Sequence, residues 1–162
     1  MEMTAKGYLD QLIRVRDGLP KFVDDVVLKN EDKITGLNID QISRHQNSEG
    51  GLLKNSNKTY SGYYKPATIA FAKQGIPSKP ITSKTVGQVY NFTWDGKFFE
   101  QFKLLKKDGD FLLHSDGEST NSLKKAFFDG YDNLYGLTNE NEKKLNYDII
   151  LPEILEYVNR YL

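Results

Sequence analysis

The stretch Phe98-Phe99-Glu100-Gln101-Phe102-Lys103-Leu104-Leu105-Lys106-Lys107-Asp108-Gly109-Asp110-Phe111-Leu112-Leu113-His114-Ser115 decides the fold class. Two apolar runs flank Lys107-Asp108-Gly109-Asp110, and Asp-Gly suits a two-residue type I′ turn because both central positions tolerate positive φ. Phe98–Lys106 and Phe111–Ser115 are therefore expected to pair as a hairpin, with a helical start over Trp94–Phe102 as the competing reading of the first residues. Just upstream, Val86, Tyr90, Phe92 and Trp94 continue the aromatic and β-branched character of strands.

Outward from this hairpin the pattern changes to helices on both sides. Tyr8, Leu9, Leu12, Ile13 and Val15 recur at helical spacing, and Gly18 with Pro20 is expected to end that first short helix. Phe22, Val23, Val26, Val27, Ile34, Leu37 and Ile42 then predict a second amphipathic helix reaching the mid-forties, closed by Asn47 to Gly51. On the C-terminal side, Ser119 or Thr120 is expected to cap a short helix that carries Leu123, Phe127 and Phe128 and stops at Gly130. Thr138 caps a final helix with Leu145, Ile149 and Ile150 on its inner face, which Pro152 kinks or divides before Ile154, Leu155, Val158 and Leu162. The expected fold is α+β: N-terminal helices, a small antiparallel sheet with its hairpin near 98–115, and C-terminal helices. A chain of 162 residues forms one domain, 1–162, with a single core.

Composition excludes several classes of function. The chain has no Cys, so disulfides, a thiolate nucleophile and Cys-containing zinc sites are out. Met1 to Asp10 lacks the basic-then-apolar order of a signal peptide, and no apolar run approaches the ~20 residues that span a bilayer. These features predict a protein made in the cytoplasm, with no membrane role.

His45 and His114 are the only histidines, and neither has an acidic residue at metal-ligand spacing. No catalytic, cofactor-binding or metal motif is present: His-Glu-x-x-His, Gly-x-Ser-x-Gly and Gly-x-x-x-x-Gly-Lys-Ser/Thr are all missing. Gly50-Gly51-Leu52-Leu53-Lys54 follows no strand and reads as a helix stop rather than a phosphate cradle. A phage-type glycan hydrolase would need two carboxylates across a cleft; Glu49 with Asp95 or Glu100 could be forced into that role, but a chain with 22 acidic residues offers such pairs by chance.

Charge is balanced overall, with 22 basic and 22 acidic residues, but it is segregated along the chain. Residues 1–50 hold seven basic and nine acidic residues, 51–107 hold ten and two, and 108–162 hold five and eleven. The segment at about 52–84 is rich in Gly, Ser, Asn, Lys and Pro and has no sustained apolar period, so it is expected to form an extended arm or loop, with a helical turn or two around Ala67–Gln74. Lys54, Lys58, Tyr60, Tyr63, Tyr64, Lys65, Lys73, Lys79 and Lys84 are its candidate assembly residues. Asp129, Asp132, Glu140 and Glu142 form the candidate acidic partner patch. Opposite patches on one small protein favour head-to-tail contact between copies. The same lysines interleaved with rings also suit non-specific binding to nucleic acid, and a plain solvated loop is the third reading.

Three islands resemble the small virion proteins of tailed phages of the minor head, neck and tail-completion type. The first runs from Asn38-Ile39-Asp40-Gln41-Ile42 through Ser48-Glu49-Gly50 to Tyr64-Lys65-Pro66-Ala67-Thr68. The second is Gly96-Lys97-Phe98-Phe99-Glu100-Gln101-Phe102, leading through an apolar strand to Ser115-Asp116. The third is Tyr135-Gly136-Leu137-Thr138-Asn139-Glu140-Asn141 ahead of a helix with a central Pro. This chain has Trp94-Asp95-Gly96 where the family usually shows Thr-Gly, and its Gln74–Gln88 segment departs from the family pattern. The resemblance implies a structural, non-enzymatic component of the head–tail junction or the tail tube that uses no cofactor. Its implied partners are copies of itself and other virion proteins such as portal, connector or tail proteins, with possible contact to packaged DNA.

Overall fold

The structure, a computed structural model, describes residues 4–56, 63–64, 66–74, 87, 92, 97–116 and 128–161. Helices α1 (Ala5–Lys29) and α2 (Glu31–Ser43) come first, then α3 (Pro66–Lys73) and the one-turn α4 (Lys97–Glu100). Strands β1 (Phe102–Lys107) and β2 (Asp110–Ser115) follow, then α5 (Asn139–Lys144), a π-helical stretch Leu145–Ile150, and α6 (Leu151–Asn159). The fold is α+β, with helices at both ends of a two-stranded antiparallel sheet. Among the described residues no helix is long and apolar enough to cross a membrane.

The hairpin turns at Asp108-Gly109, as the sequence predicts. Both residues have positive φ, 53° and 91°, and the ladder runs from Lys107 opposite Asp110 to Phe102 opposite Ser115. Its first strand starts later than expected. Phe98 lies in α4, so the helical alternative holds for that turn, and Phe98 enters the core instead of the ladder.

One sequence expectation is overturned in α1. The helix runs unbroken for 25 residues through Gly18 and Pro20, and the break falls at Asn30. The reason is packing on both sides of the proline. Phe22 stacks on Tyr157 of α6 with ring centroids 4.3 Å apart, and Lys29 pairs with Glu153 at 2.7 Å. Moving back along α1 from Lys29 to Phe22 advances α6 from Glu153 to Tyr157, so the two helices are antiparallel. Gly18 is the notch that admits the Tyr157 ring, since a Cβ there would collide with the phenol. Pro20 removes one helical hydrogen bond, a cost of ~3 kcal/mol in a helix without tertiary support. It does so on an exposed face, where water reaches the freed carbonyl.

Asn30 makes the real break. Its side chain is buried, and its Nδ2 donates to the Val26 carbonyl at 2.9 Å, tying the end of α1 to the start of α2. Glu31 then reaches across to the sheet, where its Oε1 accepts the Leu104 backbone N–H at 2.9 Å.

The core gathers Ile42, Leu53, Phe92, Phe98, Tyr131 and Leu134, with Phe99, Phe102, Phe128 and Tyr135 partly buried around them. It is mostly rings: Phe98 stacks on Phe128 at 5.0 Å, and Phe92 meets Tyr131 edge-on at 5.0 Å. Such pairs contribute ~0.5–1.5 kcal/mol each beyond the area they bury.

At the C-terminal end, Thr138 caps α5 as predicted, its hydroxyl accepting the Asn141 N–H at 3.3 Å. The helix is divided at Pro152: the π-helical stretch stands directly ahead of it, re-registering the backbone where the proline offers no donor. The expected short helix from Ser119 or Thr120 through Phe127 lies outside the described residues.

Candidate assembly interface

The segment expected to be an arm is part of the monomer at each stretch that the structure describes. Leu53 is buried, the Leu53 N–H donates to the His45 carbonyl at 2.7 Å, and the Ser56 N–H donates to the Gly130 carbonyl at 2.7 Å. Asn55 bridges to Tyr131. Tyr64 is only 2% exposed and Ile69 of α3 is buried, so neither is surface for a neighbour to cover. This corrects the reading of Tyr64 as an assembly residue and of the segment as lying wholly outside the core. Lack of an apolar period did not prevent burial, because three well-separated residues, Leu53, Tyr64 and Ile69, supply the contacts. Tyr63 and Lys54 are exposed. Lys73 ends α3. Lys58, Tyr60, Lys65, Lys79 and Lys84 lie outside the described residues.

Loop 47–51 is built by Asn47, whose Oδ1 accepts the backbone N–H of Glu49 (3.2 Å) and of Gly51 (2.8 Å). The loop leans on the segment 130–136. The Ser48 N–H donates to the Asn133 carbonyl at 2.9 Å, and Asn133 Nδ2 donates to Glu49 Oε1 at 2.9 Å. Glu49 is thus held by an amide, Glu100 is exposed on α4, and Asp95 lies outside the described residues. A polar cleft of about 390 Å³ opens here, lined by Asn47, Glu49, Gly51, Leu52, Lys54, Asp132 and Asn133. The basic Lys54 and the acidic Asp132, assigned from sequence to opposite sides of a contact between copies, line the same cleft of one copy.

The other acidic candidates are distributed differently. Asp129 and Glu142 are exposed, while Glu140 accepts a hydrogen bond from Lys144 of its own helix at 2.8 Å. That hydrogen bond holds the Glu140 carboxyl below its usual range. On the hairpin, Lys103 bonds Asp116 and lowers its carboxyl in the same way, with His114 3.3 Å from the other oxygen. Lys106 pairs with Asp24 of α1, so two lysines of the basic stretch are matched within the chain. Burial pushes the Tyr131 hydroxyl far above the ordinary phenol range.

Below these loops lies a network that sequence reasoning missed. Gln41 Oε1 accepts the Thr138 backbone N–H (2.9 Å) and the Asn141 Nδ2 (3.3 Å), while its Nε2 donates to the Gly136 carbonyl (3.0 Å). Asn38 Nδ2 donates to the same carbonyl at 2.8 Å, and Asn141 Nδ2 to the Leu37 carbonyl at 3.1 Å. Asn38 and Gln41 have no exposed surface. The only sequence signal was two carboxamides three residues apart on one face of a helix that is otherwise apolar there.

Exposed apolar residues also lie on the helix pair. Tyr8, Leu9, Leu12 and Ile13 are exposed along the first half of α1, with Leu9 at 55%, and Leu151, Leu155 and Tyr161 are exposed on or just beyond α6, with Leu155 at 53%. Leu9, Leu12 and Ile13 fall at i, i+3 and i+4, a face that helices ordinarily bury. Among the described residues no group of three or more His, Cys, Asp or Glu is placed to hold a metal ion. Comparison of the chain with family models, curated proteins and solved structures finds no match in any of the three.

Proposed function

We propose that this chain is a structural subunit of a tailed-phage particle, seated at the head–tail junction as a neck, connector-ring or tail-completion protein, and that it acts by protein–protein assembly rather than catalysis. The observation that carries the proposal is the exposed apolar face of Tyr8, Leu9, Leu12 and Ile13 on α1. A face of this kind gains free energy when a neighbour covers it, at ~25 cal/mol per Å² of apolar area. The resemblance supplies the particle. Its first and third islands meet in the Gln41 network, which supports a structural rather than a chemical role for those residues.

In this reading the partners are further copies of the chain and portal, connector or tail proteins, with packaged DNA as an additional contact. The protein is made in the host cytoplasm and ends in the virion. The test is incorporation. Particles purified from cells that produce the chain should carry it, and Leu9→Glu combined with Leu12→Glu should leave soluble, folded protein that no longer enters them. Absence of the wild-type chain from purified particles would overturn the proposal, as would lysis of cell-wall material at catalytic amounts.

A further inference from the structure

The two edges of the hairpin are treated differently. On the outer edge of β1, the Leu104 N–H donates to Glu31 Oε1, and Lys106 pairs with Asp24, so α1 and α2 cover that side. In an antiparallel ladder, residues directly opposite each other share the same pairing type. Leu113 stands opposite Leu104, so its N–H and C=O also point away from the partner strand, and so do those of Phe111 two residues earlier. Among the described residues these outward groups of Phe111 and Leu113 make no hydrogen bond.

An apolar groove of about 390 Å³ runs along the hairpin and reaches this edge, lined by Val27, Ile34, Leu104, Leu113, Tyr135 and Leu145, with Glu142 also on its wall. Its size falls in the ~300–1,000 Å³ range of pockets that take up ligand groups. The Tyr135 hydroxyl, on a residue that lines the groove, is buried with no hydrogen-bond partner among the described residues. The middle of the edge, Phe111-Leu112-Leu113, has neither a charge nor a proline to protect it.

We infer that β2 and this groove form a strand-addition site for an extended segment of a partner protein, apolar at alternate positions and carrying a lysine or arginine that faces Glu142. The backbone selects an extended peptide, because its alternate N–H and C=O groups match those of Phe111 and Leu113 while its alternate side chains enter the groove. A helix would fill the groove and leave the edge unpaired. Charge selects the basic residue, since Glu142 is the one charged side chain among the described residues on the groove wall and Asp110 begins the edge. This inference stands on the hairpin's geometry and is independent of which particle or complex the chain serves.

The test uses the whole chain and a lysine-flanked peptide of alternating valine and threonine, followed by amide hydrogen exchange. Saturating peptide should raise protection at Phe111 and Leu113 by about tenfold or more, as new backbone hydrogen bonds do, while the Leu112 amide, already in the ladder, stays unchanged. A peptide N-methylated at alternate residues should give no added protection. Leu113→Pro should abolish binding, because it removes an outward N–H that the ladder does not use together with a side chain that lines the groove. Glu142→Lys, a surface change, should weaken binding several-fold at low salt. Unchanged exchange at Phe111 and Leu113, equal binding of the N-methylated peptide, or preference for an amphipathic helical peptide would overturn the site.

Discussion

Gln41 Oε1 accepts the backbone N–H of Thr138 at 2.9 Å across 97 residues of sequence, joining the last turn of α2 to the start of α5. The same side chain bonds the Gly136 carbonyl, which Asn38 also reaches, and Asn141, which also bonds Leu37, so the Thr138 N–H is the group that depends on this carboxamide. Gln41→Leu should cost about 2–4 kcal/mol, because an apolar side chain of similar volume keeps the packing and strands the Thr138 N–H. Urea denaturation measures it. A loss below about 0.5 kcal/mol would mean that water replaces the amide.

Gly136 presents the carbonyl that both Asn38 and Gln41 use, and its φ of 117° strains any side chain there, whose Cβ would also crowd the Ser48 Cβ at 3.0 Å. Gly136→Ala should lower stability by about 2 kcal/mol or more. Adding Ser48→Gly should recover only the steric part, since the backbone strain remains. Full recovery in the double variant would assign the whole effect to the contact.

Gly18 lies inside α1, where replacing glycine by alanine ordinarily stabilises a helix by about 1 kcal/mol. Here the sign should reverse, because the Tyr157 phenol occupies the space of the new methyl group. Gly18→Ala is expected to destabilise the wild-type chain, yet to stabilise a Tyr157→Leu background. Thermal melts of the four proteins close the cycle.

Gly109 holds a φ of 91° in the hairpin turn and meets nothing within 4 Å. Gly109→Val should therefore destabilise the chain by more than about 1 kcal/mol through backbone strain alone. Asp108→Gly, at φ 53°, should be close to neutral. Chemical denaturation of the two variants separates turn geometry from side-chain contact.

The Asp116 carboxyl is lowered first by its hydrogen bond from Lys103, so the folded value lies below the unfolded one. The stabilisation is complete above the ordinary Asp value of about 3.9 and is lost as pH falls through the folded value. Asp116→Asn should flatten that acid limb of the melting-temperature profile and leave neutral pH nearly unchanged, because the pair is solvent-exposed and screened. Identical acid limbs in both proteins would exclude the pair as a contributor.

Sequence alone determined the features whose cause is local. Asp108-Gly109 turns a hairpin because its backbone requires positive φ at two successive positions, and Thr138 starts a helix because its hydroxyl reaches the N–H three residues on; each needs only its neighbours in sequence. The α+β class was legible for the same reason. The tertiary structure decided where α1 ends, since Phe22 and Lys29 reach α6 across the site where Gly18 and Pro20 would have broken an isolated helix. It also decided that Leu53, Tyr64 and Ile69 are interior, and that Asn38, Gln41, Gly136 and Asn141 meet. Their sparse spacing carries no period, and their partners lie far along the chain. Burial at such positions is set by the surface that the rest of the fold presents, which local pattern does not encode.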